Sequence, residues 1–185
     1  MLFQVTLLVD LTAMAICLWM AFYLFARGFP SKVTMRGVVL LISLAAFFFG
    51  AYNNLFTQVT GTAAWRAVFL IIGIGAWYDI TLHLLTPENR KSLLPWTVGI
   101  YTIGLISIVL LLSTHNAFIG EQGNKLYVAR MGVGLPYILY GIFEIAACFG
   151  IFQNLLSYGK IGIASQGKFF LFASIFPVAG VIYGI

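Results

Sequence analysis

The stretch GVVLLISLAAFFFGAYNNLF at residues 37–56 contains no charged side chain. An α-helix rises about 1.5 Å per residue, so about 20 apolar residues cross the roughly 30 Å hydrocarbon core of a bilayer. Further apolar runs of similar length lie at residues 2–26, 67–85, 94–112, 131–152 and 169–185. The sequence therefore predicts an all-α fold: a polytopic integral membrane helical bundle with six transmembrane helices, forming one domain over residues 1–185.

The composition of the chain excludes a soluble globular domain. Hydrophobic residues make up 62% and charged residues 8% of the sequence, and the mean hydropathy is +1.02. A soluble domain carries about a quarter charged residues to cover its surface. The net charge of +5 does not indicate a nucleic-acid partner, because the Lys and Arg residues lie at the edges of apolar runs rather than in one cluster. The expected partners are the lipid bilayer and other membrane protein chains, either copies of this chain or a larger complex.

The basic residues sort onto alternate connections between the apolar runs. Seven of the ten lie on the first, third and fifth connections, namely Arg27, Lys32, Arg36, Arg90, Lys91, Lys160 and Lys168. The second and fourth connections hold Arg66, Lys125 and Arg130. Short loops rich in Lys and Arg stay in the cytoplasm. This distribution predicts an N-terminus outside the cell, and with six spans it places the end of the last span outside as well.

Ionisable side chains inside apolar runs are costly and are candidates for function. Asp79 and His83 are four residues apart and share a helix face, so they are predicted to relay a proton or sense pH. In the alternative interpretation, His83 is an interfacial residue that satisfies Asp79. Glu144 shares a face with Tyr137, Tyr140, Gly141 and Cys148, and we expect it to face protein and to be neutral or hydrogen-bonded. Glu144 and Tyr140 are candidate ligand contacts, and a purely structural hydrogen bond between them is the alternative.

A second group of polar residues lies near the predicted outer side of the membrane. Asp10 is on the first run, Asn53 and Asn54 end the second, and Arg66 opens the third. Because their depths are similar, they are predicted to line a ligand-binding pocket open to the exterior. In the alternative interpretation, Asp10 and Arg66 extend to the interface and pair there.

No motif of an enzyme is present in the sequence. There is no phosphate-binding loop, no metal-spaced cluster of His and Glu, and no pair of carboxylates on one helix. His83 and His115 lie near opposite faces of the membrane, so they cannot ligate one haem together. Cys17 and Cys148 lie within apolar runs and have no metal-ligand spacing. We therefore expect a non-enzymatic protein with no catalytic residue, no metal and no cofactor.

Three stretches carry a resemblance to a known family. They are Trp65-Arg66 leading into IGIGAWY at 72–78, YILYG at 137–141 followed by QNLL at 153–156, and QGK at 166–168 followed by Phe176-Pro177 and Tyr183. Over about residues 65–185 the chain resembles the N-terminal seven-helix membrane region of bacterial sensor histidine kinases. The resemblance implies a sensor in the bacterial cytoplasmic membrane that passes a stimulus through its last helix to a cytoplasmic output domain. No catalytic residue of that family belongs to this region. The sequence departs from the pattern by having six predicted spans and no output domain, so we expect it to be either the ordered part of a longer receptor or a relative that has lost its output domain.

A second function remains open on the sequence. A compact, Phe-rich bundle without an output domain is also typical of an accessory subunit in a larger respiratory or photosynthetic membrane complex. Its exposed aromatic faces would then contact neighbouring helices, lipid or pigment. Transport is a weaker alternative, because the two halves of the chain do not align as an inverted repeat.

Overall fold

A computed structural model of the protein describes residues 2–57, 63–119 and 134–160. These residues form six helices, all of them α-helical: α1 (Leu2–Gly28), α2 (Lys32–Thr57), α3 (Ala63–His83), α4 (Pro87–Ser92), α5 (Leu94–Ile119) and α6 (Leu135–Lys160). The predicted all-α bundle is confirmed. The sixth predicted span at residues 169–185 and most of the connection after α5 lie outside the described residues. The assignment of residues 1–185 to a single domain stays a prediction.

Five of the helices are long and apolar enough to cross a bilayer. The spans are Gln4–Gly28, Lys32–Asn53, Ala64–His83, Leu94–Ser113 and Ile138–Tyr158. The protein is therefore a multi-pass membrane protein. The last of these helices begins later than the sequence pattern predicts and continues to Lys160. A helix does not have to end where the hydrocarbon ends, because its backbone hydrogen bonds are satisfied internally in the headgroup layer as well.

The short helix α4 is not among the elements predicted from hydropathy. It occupies the connection between α3 and α5, and its N-cap residue is Thr86. Pro87 stands at the start of the helix, where its missing N–H leaves no hydrogen bond unmade. Glu88 in the first turn and the basic pair Arg90 and Lys91 in the last turn both complement the helix dipole. Local charge and turn chemistry thus account for a helix that carries no apolar face.

Helix α3 lies at the centre of the described bundle. Helix α1 packs against α2, α2 packs against α3, and α3 also packs against α5 and α6, which contact each other. The buried core follows from this arrangement: Ile71, Ile74, Tyr78 and Leu82 of α3 meet Ile100 of α5 and Phe143, Ala147 and Ile151 of α6. On its other side α1 exposes large apolar side chains such as Trp19 and Phe22. Hydrocarbon does not penalise such exposure, since lipid tails are as apolar as leucine.

Two glycines allow α6 to approach its neighbours closely. A Cβ atom at Gly150 of α6 would lie 2.6 Å from the Tyr78 ring of α3 and 3.1 Å from the Trp96 indole nitrogen of α5. A Cβ atom at Gly104 of α5 would lie 2.8 Å from the Phe143 ring of α6. Small residues at such crossings replace side-chain bulk with direct backbone packing. Larger residues at either position would push α6 away from α3 and α5.

With the exception of Arg66, the described Lys and Arg residues lie at one end of the bundle. Arg27 ends α1, Lys32 and Arg36 begin α2, and Arg90 and Lys91 end α4. We call this end of the bundle the basic end, and the end that carries Arg66 the opposite end. The sorting of charges agrees with the alternation in the sequence. The direction in which the bundle crosses the membrane stays a prediction.

We expect a membrane-impermeant maleimide to label a cysteine at Gln4 from outside the cell, and to label cysteines at Ser31 and Asn89 only after the membrane is opened. Ser31 and Asn89 are exposed at the basic end, whereas Gln4 is exposed at the opposite end, and basic loops stay inside. The measurement is labelling of intact and lysed cells, with Cys17 and Cys148 replaced by alanine. Labelling of Ser31 and Asn89 in intact cells, with Gln4 protected, would show the inverted orientation.

Candidate functional site

Arg66 reaches from the first turn of α3 across helix α2. A Cβ atom at Gly50 of α2 would lie 2.7 Å from the Arg66 Cγ, so the aliphatic part of the arginine passes over this glycine. The guanidinium carbon lies 4.8 Å from the centre of the Phe47 ring, within the range of a cation–π interaction. The buried Nε of Arg66 has no hydrogen-bond partner within the described part of the chain. Arg66 is thus held by packing on Gly50 and by the Phe47 ring, while its Nε–H group has no acceptor among the described residues.

The charge of Arg66 links two groups of residues that the sequence suggested separately. The guanidinium lies within electrostatic range of the Asp10 carboxylate on α1 and of the Tyr140 hydroxyl on α6. Tyr140 in turn donates a hydrogen bond to Oε1 of Glu144. We call these four residues the Arg66 cluster. It draws on α1, α3 and α6 and packs across α2, so four helices converge on one cation.

Glu144 lies inside the protein. Its exposed fraction is 2%, and its carboxylate accepts the hydrogen bond from Tyr140 one turn earlier. The prediction that Glu144 faces protein and is hydrogen-bonded is confirmed. A role of Glu144 and Tyr140 in ligand contact stays a prediction.

Four residues are predicted from the sequence to line an outer pocket, and the structure describes the side chains of three of them. Asp10 and Arg66 converge as described above. Asn53 is half-buried near the end of α2 and has interactions of its own. Asn54 lies on the same helix, but its side chain falls outside the described part of the structure. The structure thus relates Arg66 to Tyr140 as well as to Asp10, and the pocket itself, with the two asparagines, stays a prediction.

Asp79 finds its main partner on another helix. Arg36 of α2 donates a hydrogen bond from Nε to Oδ2 of Asp79, forming an ion pair. The hydroxyl of Tyr101 on α5 also lies within electrostatic range of the Asp79 carboxylate. We call Arg36, Asp79 and Tyr101 the Asp79 cluster. It joins α2, α3 and α5 near the basic end.

His83 shares the face of Asp79, as its spacing predicts, but it is not the closest partner of the carboxylate. Its Nδ1 lies 2.8 Å from the main-chain oxygen of Asp79 and 3.7 Å from Oδ1. Sequence reasoning assigned Arg36 to the orientation of the bundle and missed its pairing. Their similar depth in the membrane could have suggested this pairing. Arg36 lies about one turn after the start of α2, and Asp79 lies about one turn before the end of α3. The proton-relay role of Asp79 and His83 stays a prediction.

Two further hydrogen bonds tie α3 to the later helices. Nδ2 of Asn154 on α6 donates to Oγ1 of Thr81, at 3.1 Å, and both side chains are buried. The Tyr78 hydroxyl lies 3.0 Å from the Thr97 hydroxyl of α5. Asn154 belongs to the QNLL stretch at residues 153–156, whose polar residues the sequence analysis did not assign to a contact. These bonds fix the rotation of α6 and α5 around α3.

An open cleft adjoins the Asp79 cluster between α2, α3 and α5. Its volume is about 760 Å³, and Phe143 of α6 contributes to its wall. This volume falls within the range of roughly 300–1,000 Å³ that is usual for small-molecule sites. Among residues 2–57, 63–119 and 134–160, no group of three or more His, Cys, Asp or Glu side chains is placed to hold a metal ion.

Comparison of the chain with models of known protein families, with curated proteins and with solved structures gave no match in any of the three. The resemblance to the membrane region of sensor histidine kinases therefore rests on the residues quoted above and stays a prediction.

We expect Glu144→Leu to destabilise the bundle by about 1–3 kcal/mol, because the half-buried Tyr140 hydroxyl would lose its acceptor. Glu144→Gln keeps an oxygen in the same place and should cost much less. The measurement is the free energy of unfolding of the purified chain in mixed micelles. As a control, Tyr140→Phe should cost little in the Glu144→Leu background, since the hydrogen bond is already gone. Equal stability of the Leu and Gln variants would contradict a structural hydrogen bond.

Proposed function

We propose that this chain is a non-enzymatic membrane sensor of the ligand-binding type, located in the bacterial cytoplasmic membrane, with the Arg66 cluster as its input site. The observation that supports this proposal best is that Asp10 and Tyr140 both lie within electrostatic range of the Arg66 cation, with Glu144 joined to Tyr140 by a hydrogen bond. Ionisable residues within spans are costly and persist where they serve a function. With the N-terminus outside, this cluster lies on the exterior side of the membrane.

The Nε–H group of Arg66 indicates which chemical class of ligand this site would bind. Arg66 Nε is buried without a hydrogen-bond partner in the described residues. A buried donor left unsatisfied costs about 1–3 kcal/mol, which a bound acceptor would recover. A carboxylate forms the strongest such contact, because arginine presents a planar fork of donors that matches its two oxygens. A small carboxylate is therefore the ligand class that fits the cluster.

The position of Arg66 also supports a response to the ligand. The residue packs on Gly50 and Phe47 of α2 and lies close to charged or polar groups of α1 and α6. A ligand that draws the guanidinium toward itself would weaken its contacts with some of these helices and strengthen others. Such a shift changes the relative free energies of two packings of the bundle, which is what a conformational switch requires.

The test is thermal unfolding of the purified chain with acetate, benzoate and succinate as probes, and with acetamide and benzamide as neutral counterparts. We expect at least one carboxylate to stabilise the wild type, by about 2.7 kcal/mol at a concentration about 100-fold above its Kd. Its amide counterpart should have a smaller effect. Arg66→Gln should abolish the stabilisation. Gly50→Ala should reduce it, because the added Cβ displaces the Arg66 stem while the charge is kept.

Arg27→Gln is the matched control for Arg66→Gln. Arg27 also lies over an aromatic ring, with its guanidinium carbon 5.2 Å from the centre of Tyr23, but it belongs to the basic end. The Arg27 variant should keep the response of the wild type. The proposed input site fails if no carboxylate stabilises the wild type, or if Arg66→Gln and Arg27→Gln respond alike.

One observation favours the accessory-subunit alternative. Helix α1 packs mainly against α2, and its outer face exposes Trp19 at 67% and Phe22 at 71%. In a larger complex, aromatic side chains of this kind would be buried against a neighbouring chain. Native electrophoresis of membranes extracted in mild detergent distinguishes the two functions. If the chain migrates within a defined larger complex and Phe22→Ser abolishes this migration, the accessory-subunit function is favoured over the sensor function.

A further inference from the structure

The open cleft between α2, α3 and α5 is polar at one end and apolar along the rest. At the basic end it is lined by Lys32, Arg36 and Asp79. From there it extends to Ile71 in the middle of α3 and Ile108 in the middle of α5, between apolar side chains of all three helices. A ligand that fills it must therefore carry a polar group at one end and an apolar chain behind it.

The polar end of the cleft has an excess of positive charge. Lys32 and Arg36 are one turn apart on α2, so they share a face, and only the Asp79 carboxylate opposes them among the lining residues. The Asp79 carboxylate accepts the hydrogen bond of the Arg36 Nε–H group. The Nη1 of Arg36 is buried and has no hydrogen-bond partner in the part of the chain that the structure describes. This leaves one unneutralised cation at this end of the cleft and one unused donor on Arg36, which lines it.

We propose that this cleft binds an anionic phospholipid from the leaflet at the basic end of the bundle. Lys32 and Arg36 would hold its phosphate, and one acyl chain would lie along the apolar part of the cleft. Charge complementarity selects an anionic headgroup, since Lys and Arg near a membrane surface attract anionic lipids. The apolar walls select a lipid over free phosphate, which would leave them empty. The site is separate from the Arg66 cluster, and the proposal stands or falls independently of the sensor function.

The test is native mass spectrometry of the full chain released from micelles that contain phosphatidylglycerol or phosphatidylcholine with the same acyl chains. We expect the wild type to retain phosphatidylglycerol about fivefold more tightly than phosphatidylcholine, the difference expected for about one Lys or Arg contact. Lys32→Gln should lower the retention of phosphatidylglycerol about fivefold and that of phosphatidylcholine less, because the choline cation already neutralises the phosphate charge of phosphatidylcholine. Lys91→Gln is the matched control: it removes an exposed lysine at the same end that does not line the cleft.

A second variant blocks the cleft without touching its charges. A Cβ atom at Gly75, which lines the cleft, meets only the Tyr101 ring at 3.9 Å, so the first atom of a side chain fits there without overlap. Gly75→Leu should therefore keep the fold and reduce the selective retention of phosphatidylglycerol at least as much as Lys32→Gln does. An unchanged thermal unfolding midpoint would separate this effect from unfolding.

Four outcomes would overturn the proposal. They are equal retention of the two lipids by the wild type, equal retention by Lys32→Gln and Lys91→Gln, full selective retention in Gly75→Leu, and displacement of the lipid by millimolar inorganic phosphate. The last outcome would instead indicate a site for the free anion. None of these measurements involves the carboxylate probes of Arg66, so failure of one proposal leaves the other intact.

Discussion

The free-energy cost of placing a polar side chain in hydrocarbon is the constraint that organises this bundle around α3. Apolar packing alone gives little preference for one rotation of a helix, because lipid tails are as apolar as the side chains they replace. Polar groups do have a preference, since each needs a partner. Asp79 finds Arg36 on α2, and Thr81 finds Asn154 on α6. The polar residues of α3 therefore determine which of its faces meets each neighbour.

The same constraint explains which features of the fold could be predicted from the sequence. The length and hydropathy of each run predict a span, because the thickness of the bilayer imposes both. The hydropathy of a run does not show which face of its helix is buried in the core of the bundle. Ile71 is 3% exposed and its neighbour Ile72 is 37% exposed, although the two residues are chemically identical. A soluble helix would distinguish these positions by polarity, whereas a membrane helix can be apolar on the side of the core and on the side of the lipid.

In the candidate sites, contacts within one helix could be predicted from the sequence, whereas contacts between helices could not. The hydrogen bond from Tyr140 to Glu144 and the contact of His83 with Asp79 both span four residues of one helix, so helical periodicity is enough to suggest them. The pairing of Arg36 with Asp79 depends on how α2 is rotated against α3, and no pattern in either helix specifies that rotation. Depth in the membrane narrows the choice of partners but does not select one. Pairs of side chains on different helices are thus the part of the site that can be identified only from the structure.

The two clusters lie on one rigid element, and this bears on the proposed sensor function. Asp79 lies about 20 Å further along α3 than Arg66, at about 1.5 Å per residue. Because the backbone hydrogen bonds of a helix resist local twisting, a rotation or shift of α3 at Arg66 also moves Asp79. The ion pair with Arg36 opposes such a movement, since breaking it would separate two opposite charges in a half-buried site. A lipid phosphate bound beside Arg36 would offer the guanidinium a second acceptor and so lower the cost of releasing Asp79. Occupancy of the cleft would then set how readily α3 responds to a ligand at the opposite end.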